Sequence, residues 1–223
     1  MAKAKPKPSS EDVYELLRWK ILDHGIAPAT KLNILQLSQE LNVSQTPIRE
    51  ALRQLQGDNL VVATANKGYS TTADLDATGV KDLFEFRLLV EPWAARVSAS
   101  NRIGNPGKEL LAELSQFKAV AKYKKRQMIE HDQRFHRAIM LATGNEVLIQ
   151  AYAQSHCHLH LFRMMENEWD WKKSLDEHNK IAQAILKEDP VKAEEEMKNH
   201  LQVSYQGFIK SVQPIKTFSQ TLH

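Results

Sequence analysis

Two short helical patterns with almost nothing between them constrain this chain more than any other feature. Asn33 is placed to cap a helix through Leu41, Asn42-Val43 makes a turn, and Ser44 caps a helix running to about Gln56. So short a connection sets the second helix across the first, the geometry of a helix-turn-helix. An earlier helix is expected from an N-cap at Ser10, with Val13, Leu16, Leu17 and Ile21 as its apolar stripe, ending at His24-Gly25. Afterwards Leu60–Thr64 and Tyr69–Thr72, rich in β-branched residues and joined through Asn66-Lys67-Gly68, read as a β-hairpin wing. Beyond Asp76 only helical patterns follow, punctuated by Asn105-Pro106-Gly107, Thr143-Gly144-Asn145 and Asp189-Pro190; Pro92 is expected to kink or split the first of them. The expected fold is mostly α: an N-terminal winged helix-turn-helix followed by an all-α helical bundle.

The expected divisions are a flexible basic arm over 1–9, the winged helix-turn-helix over 10–72, a linker over 73–77, the helical domain over 78–213 and a tail over 214–223. With 223 residues, 42% of them hydrophobic, the chain can bury a real core. The single cysteine, Cys157, excludes an internal disulfide, and no apolar run is long enough to span a bilayer, so a cytoplasmic protein with no membrane partner is expected. Net charge is +3 and hardly segregates: residues 1–72 carry 9 Lys/Arg against 7 Asp/Glu. Charge alone therefore says nothing of nucleic acid, and the case rests on individual positions.

In the third helix Ile48, Ala51, Leu52 and Leu55 recur at core spacing, which leaves Gln45, Thr46, Arg49 and Arg53 on other faces. Glutamine pairs bidentately with adenine and arginine with guanine, while the Ser44 and Thr46 hydroxyls suit phosphates or bases. The same pattern also fits an ordinary amphipathic surface helix.

In the second half, four residues lie on the apolar faces of three predicted helices. Asp132 and His136, four apart, share a side with Phe135 and Ile139; His178 precedes Ile181, Ala182 and Ile185; His200 aligns with Ala193, Met197 and Val203. Three imidazoles and a carboxylate suit a divalent transition metal, Zn²⁺ or Ni²⁺ before Ca²⁺, one per chain. Hydrogen-bonded core histidines are the alternative. Ser155-His156-Cys157-His158-Leu159-His160 is a second histidine-rich stretch, expected to be solvated or to line a cavity. Lys172-Lys173 and Glu194-Glu195-Glu196 read as solvated faces, and Trp169 and Trp171 as a cavity cover or packing residues.

The run from Leu41 to Leu55, with Gly25-Ile26-Ala27-Pro28 before it and Lys67-Gly68-Tyr69 after it, resembles the GntR family's winged helix. The resemblance implies major-groove contacts by Ser44, Gln45, Thr46 and Arg49 and minor-groove contacts by Lys67 and Gly68. Two positions depart from the pattern: Ala29 stands where glycine is common, a change expected to matter little, and Gln45 where arginine is usual, which would favour adenine over guanine. Phe86–Glu91, Asp132–His136, Thr143-Gly144-Asn145, Glu177-His178 and Asn199-His200-Leu201 resemble the family's FCD-type effector domain over most of 76–212. That implies a divalent metal held by Asp132, His136, His178 and His200, a small carboxylate effector clamped by Arg87, and a homodimer reading an inverted-repeat DNA operator, by default as a repressor. For Arg87 a structural ion pair with Glu91 is the competing reading. Two further readings stay open: a metal-dependent lyase or hydrolase on a DNA-binding module, against which no glutamate or other base is evident beside the ligands, and a direct metal sensor.

Overall fold

A computed structural model describes residues 8–117, 123–165 and 169–212. Apart from Pro8 and Ser9, the expected arm over 1–9 and the tail over 214–223 lie outside the described residues. The chain groups into two compact units, one drawn from 1–74 and 154–163, the other from 75–153 and 164–223.

In the first unit, α1 (Ser10–Leu22) is opened by Ser9, not Ser10: the Ser9 hydroxyl accepts from the Asp12 amide and the Asp12 carboxylate from the Ser9 amide. Val13, Leu17 and Ile21 are buried as expected, but Leu16 is 43% exposed and lies outside the core. Helix α2 (Ile34–Leu41) is capped by the Asn33 carboxamide, which accepts from the amides of Leu35 and Gln36. Asn42 then turns left-handed at φ 52°, a conformation asparagine tolerates, and this sets the direction of α3 (Gln45–Gly57). Ile48, Ala51, Leu52 and Leu55 seal α3 against α1 and α2. The hairpin β2 (Val61–Thr64) and β3 (Gly68–Thr71) forms with Val61 opposite Thr71 and Thr64 opposite Gly68. A two-residue strand, β1 (Lys31–Leu32), completes an antiparallel sheet of order β1-β3-β2; it is too short to leave a periodic signal in the sequence.

Two further features of this unit correct expectation. Ala29, in place of the resembling family's glycine, adopts φ 54°, left-handed backbone in which a Cβ costs roughly 1 kcal/mol, so the exchange does matter. The histidine-rich stretch is not solvated as a whole: His156 and His160 are half-buried and the residues between them are buried. Left-handed His156 (φ 46°) separates it from the preceding helix, and Cys157, His158, Leu159, Leu161 and Phe162 are buried in α8 (Cys157–Met164). Arg163 on α8 is also buried, donating to the Thr72 hydroxyl at 2.7 Å and the Thr72 carbonyl at 2.8 Å, while the His24 ring meets the Arg163 carbonyl. Burial lowers the Arg163 pKa, and nearby Asp74 opposes that shift.

The second unit is helical: α4 (Ala77–Ser100), α5 (Gly107–Ser115), α6 (Lys125–Leu141), most of α7 (Glu146–Ser155), α9 (Trp171–Leu186) and α10 (Pro190–Val212). Helix α4 packs chiefly along α10 and also meets α6 and α9. Of the expected kink or split, the split does not occur: the helix runs through Pro92, where Pro92 and its neighbours Glu91, Ala94 and Ala95 are buried and the packing outweighs one missing amide donor. Gly107 is required where α5 crosses α9, since a Cβ there would stand 2.6 Å from the Leu186 backbone. Phe84, Ile129, Phe135, Ile139, Ile181, Ile185, Met197, Leu201 and Phe208 form the core that frames the histidines. Among the described residues, no helix is long and apolar enough to cross a membrane.

Candidate metal centre and nucleic-acid interface

The end of α3 that leads into the helix carries the polar groups. Ser44 is extended and exposed, and its side chain makes no capping hydrogen bond; Gln45, Thr46, Arg49 and Arg53 are all exposed. A long 3.5 Å hydrogen bond from Arg49 to the Gln45 carboxamide orders the two on adjacent turns. Lys67 and Gly68, the latter at φ 84°, sit exposed at the turn of the hairpin. These seven residues thus form two exposed elements of one compact unit, a helix end and a hairpin tip.

In the helical unit, Asp132, His136, His178 and His200 each offer a ligand atom, all within 4.8 Å of one another. The Asp132 carboxylate oxygen lies 3.7 Å from His136 Nε2 and 3.6 Å from His178 Nε2, and the two Nε2 atoms of His178 and His200 are 3.4 Å apart. Nitrogen and oxygen ligands near 2.1 Å from a tetrahedral ion stand about 3.4 Å from each other, so these three separations are close to those a bound ion imposes and small side-chain adjustments would complete the set. The three rings are buried and Asp132 is partly so.

Each histidine presents Nε2 inward and has its Nδ1 held from behind. His136 Nδ1 lies 2.6 Å from Glu91, His200 Nδ1 2.9 Å from Glu177, and His178 Nδ1 3.0 Å from Nε2 of His131. His131 itself, fully buried, meets Glu113 at 3.1 Å, and Glu113 also accepts from Arg134. Such partners fix the tautomer that leaves Nε2 free of a proton and able to ligate. Phe135 stacks on His178 with ring centroids 4.1 Å apart and holds that ring's plane.

Electrostatics favour the same state. Burial pushes the His136 imidazole down to about 4 against the opposing pull of Glu91 and Asp132. Burial and the neighbouring His200 hold His178 well below its ordinary value. Burial alone would raise the Glu91 carboxyl, but Arg87 and His136 outweigh it and keep that group below the usual carboxylate range. Neutral imidazoles beside an ionised support are what a divalent cation requires.

Arg87 is buried and paired with Glu91, Nε to Oε1 at 2.5 Å, and Glu91 also accepts from the Tyr152 hydroxyl at 3.0 Å. The ion pair weighed from the i, i+4 spacing is therefore present. Sequence reasoning missed Glu91, Glu113, His131 and Glu177 as supports, and the expectation that no glutamate stands beside the ligands is wrong. Glu91 and Glu177 are engaged with the ligand histidines, as supports to the ring nitrogens. Their signal was mere adjacency, Glu177 beside His178 and His131 beside Asp132, which cannot be told from solvated surface before the helices are packed.

Trp169, one of the two tryptophans read as a cavity cover or packing residues, packs on Phe208 with centroids 4.6 Å apart and lines a cavity apart from the four candidate ligands. Lys172 and Lys173 are exposed, whereas Glu194 and Glu196 are half-buried and paired with Arg96 and Lys192.

Comparison with known proteins accords with this layout. Residues 9–70 match the bacterial regulatory proteins of the gntR family, and residues 82–203 match the FCD domain. The chain is 28% identical over 129 residues to the Nta operon transcriptional regulator of Aminobacter aminovorans, covering 58% of this chain and 61% of that one. It is 28% identical over 207 residues to the HTH-type transcriptional repressor GlaR of Escherichia coli, covering 86% and 92%. A solved GntR transcriptional regulator from Rhodococcus sp. RHA1 shares the fold with a TM-score of 0.70 at 19% identity, over 92% of this chain and 99% of that one. These relatives are regulators of transcription, not enzymes. The chain belongs to the GntR family of bacterial transcriptional regulators, with a winged helix-turn-helix at its N-terminus and an FCD domain after it.

Proposed function

We propose that this regulator is a repressor released from DNA by a small carboxylic acid bound at a divalent metal in the helical domain. The observation that carries the proposal is the buried Asp132, His136, His178 and His200 set, with each histidine's second nitrogen already supported. One ion per chain, zinc or nickel by the ligand chemistry, would be held there and would offer its remaining coordination positions to carboxylate oxygens. Arg87 lies one step away through Glu91 and His136, so a bound acid would compete with Glu91 for the guanidinium.

On the DNA side, Gln45 and Arg49 read base edges, with Gln45 favouring adenine; Ser44, Thr46 and Arg53 position α3 on the backbone, and Lys67 and Gly68 enter the minor groove. Two copies bind an inverted repeat, and the acid acts by preferring one arrangement of the dimer. Leu89 and Trp93 on the outer face of α4, 78% and 43% exposed, are the apolar surface on which the second copy would sit.

The test selects an operator from a randomised duplex library and measures its affinity by fluorescence anisotropy for metal-loaded wild type, Arg49→Ala and His178→Ala. Arg49→Ala is expected to weaken binding by about 1–3 kcal/mol. A panel of lactate, malate and citrate is expected to release wild type only. If no inverted repeat is selected, the DNA reading fails; if an acid releases wild type and His178→Ala alike, the metal-anchored effector fails.

A further inference from the structure

We propose that the helical domain carries a second small-molecule site, between the first turns of α9 and the later half of α10, which takes an α-amino acid with an apolar side chain. The site is a cavity of about 390 Å³ lined among others by Met164, Trp169, Lys173, Glu177, Val203 and Ser204. None of the four metal-ligand residues lines it. Its volume lies in the range of ligand pockets and exceeds what one or two waters need.

The walls divide by chemistry. Trp169, Met164 and Val203 form an apolar side, and the indole is fixed there: its Nε1 donates to the Ser174 hydroxyl at 3.2 Å and its ring lies so close over Gly207 that a Cβ would stand 2.9 Å away. Opposite charges line the rest. Lys173 and Glu177 stand four apart on α9, the spacing at which Lys172 and Asp176 close an ion pair of 3.1 Å. No ion pair closes between Lys173 and Glu177 among the described residues, because Glu177 turns to His200. The lining thus holds the Lys173 ammonium and two carboxylates, those of Glu177 and Asp170. Ser204, only 8% exposed, lines the same space and its hydroxyl has no hydrogen bond among the described residues.

An amino acid satisfies all of these at once. Its carboxylate pairs with Lys173, its ammonium with Glu177 and the Ser204 hydroxyl, and its side chain lies on Trp169. An acid lacking the amine would leave Glu177 and Ser204 unmatched, and an amine lacking the acid would leave Lys173 unmatched. Glu177 serves both this cavity and the Nδ1 of His200, so occupancy and metal affinity are linked reciprocally. Only that linkage rests on the metal reading above; the cavity does not.

The test titrates L-leucine, 4-methylpentanoate and 3-methylbutylamine into the full-length protein, following tryptophan fluorescence and calorimetric heat, with metal content measured on the same samples. Leucine is expected to bind saturably, each analogue about tenfold more weakly, and Lys173→Ala to lose about the same factor. His178→Ala is expected to lose metal and still bind leucine, which separates the two readings. Absence of saturable binding of leucine, methionine and phenylalanine overturns the proposal, as does equal binding of the amine or leucine affinity unaltered by Lys173→Ala. Metal affinity unchanged by saturating leucine overturns the linkage.

Discussion

Replacing His131 by phenylalanine isolates what a residue that never touches the metal contributes to holding it. His131 is fully buried, packed 4.9 Å from the Phe117 ring and 5.9 Å from Phe135, so a phenyl ring of similar size keeps the packing while deleting the polar partners. The substitution removes the 3.0 Å bond to His178 Nδ1 and the 3.1 Å bond to Glu113. Without an acceptor on Nδ1, His178 no longer prefers the tautomer that ligates through Nε2, and its ring keeps only the Phe135 stack for orientation. Losing such a supporting partner typically costs 10- to 100-fold in metal affinity, about 1.4–2.7 kcal/mol. The assay is a competition titration against a zinc chelator, with the melting curve of the metal-free variant beside it. The metal-free melting point is expected to fall, because the buried Nδ1 of His178 loses its partner, and the stabilisation gained on adding metal shrinks by a further ~1.4–2.7 kcal/mol at fixed free metal. A metal affinity within about twofold of wild type would refute the reasoning, since it would mean that the Nδ1 hydrogen bond does not set the ligating state.

Two other outcomes follow from single groups. His136 is held neutral with its pKa lowered to about 4, so in the metal-free protein the unfolded chain takes up that proton first; stability is full above about pH 6.5 and falls between 6.5 and 4, by about 3 kcal/mol from this residue. Thermal melts across that range, with His136→Gln as the comparison, check it, and equal slopes in both proteins would contradict it. Ala29→Gly, at φ 54°, is expected to stabilise the winged unit by about 0.5–1 kcal/mol, read from denaturant midpoints; a loss of stability would show that the left-handed backbone is not strained.

The sequence by itself determined most of the local elements and the inward placing of the Asp132, His136, His178 and His200 cluster. Asn33 opens α2 and Ser44 opens α3, with only Asn42-Val43 between the two helices, a connection short enough to set them across each other, and the 3.6-residue period of Ile48, Ala51, Leu52 and Leu55 specifies which face of α3 stays outside. The same periodicity turned Asp132, His136, His178 and His200 inward before any packing was known. Those are short-range statements, fixed by spacing within one helix. Tertiary structure alone decided how the helices meet: that Glu91, His131 and Glu177 stand behind the ligand rings, and that Pro92 lies within an unbroken helix. It also decided that residues 157–163 pack with the first 74, where buried Arg163 holds Thr72. Pairings of that kind depend on which side chains of distant segments reach one another. No periodicity within one segment encodes this, because the free energy that selects it comes from burial shared between segments.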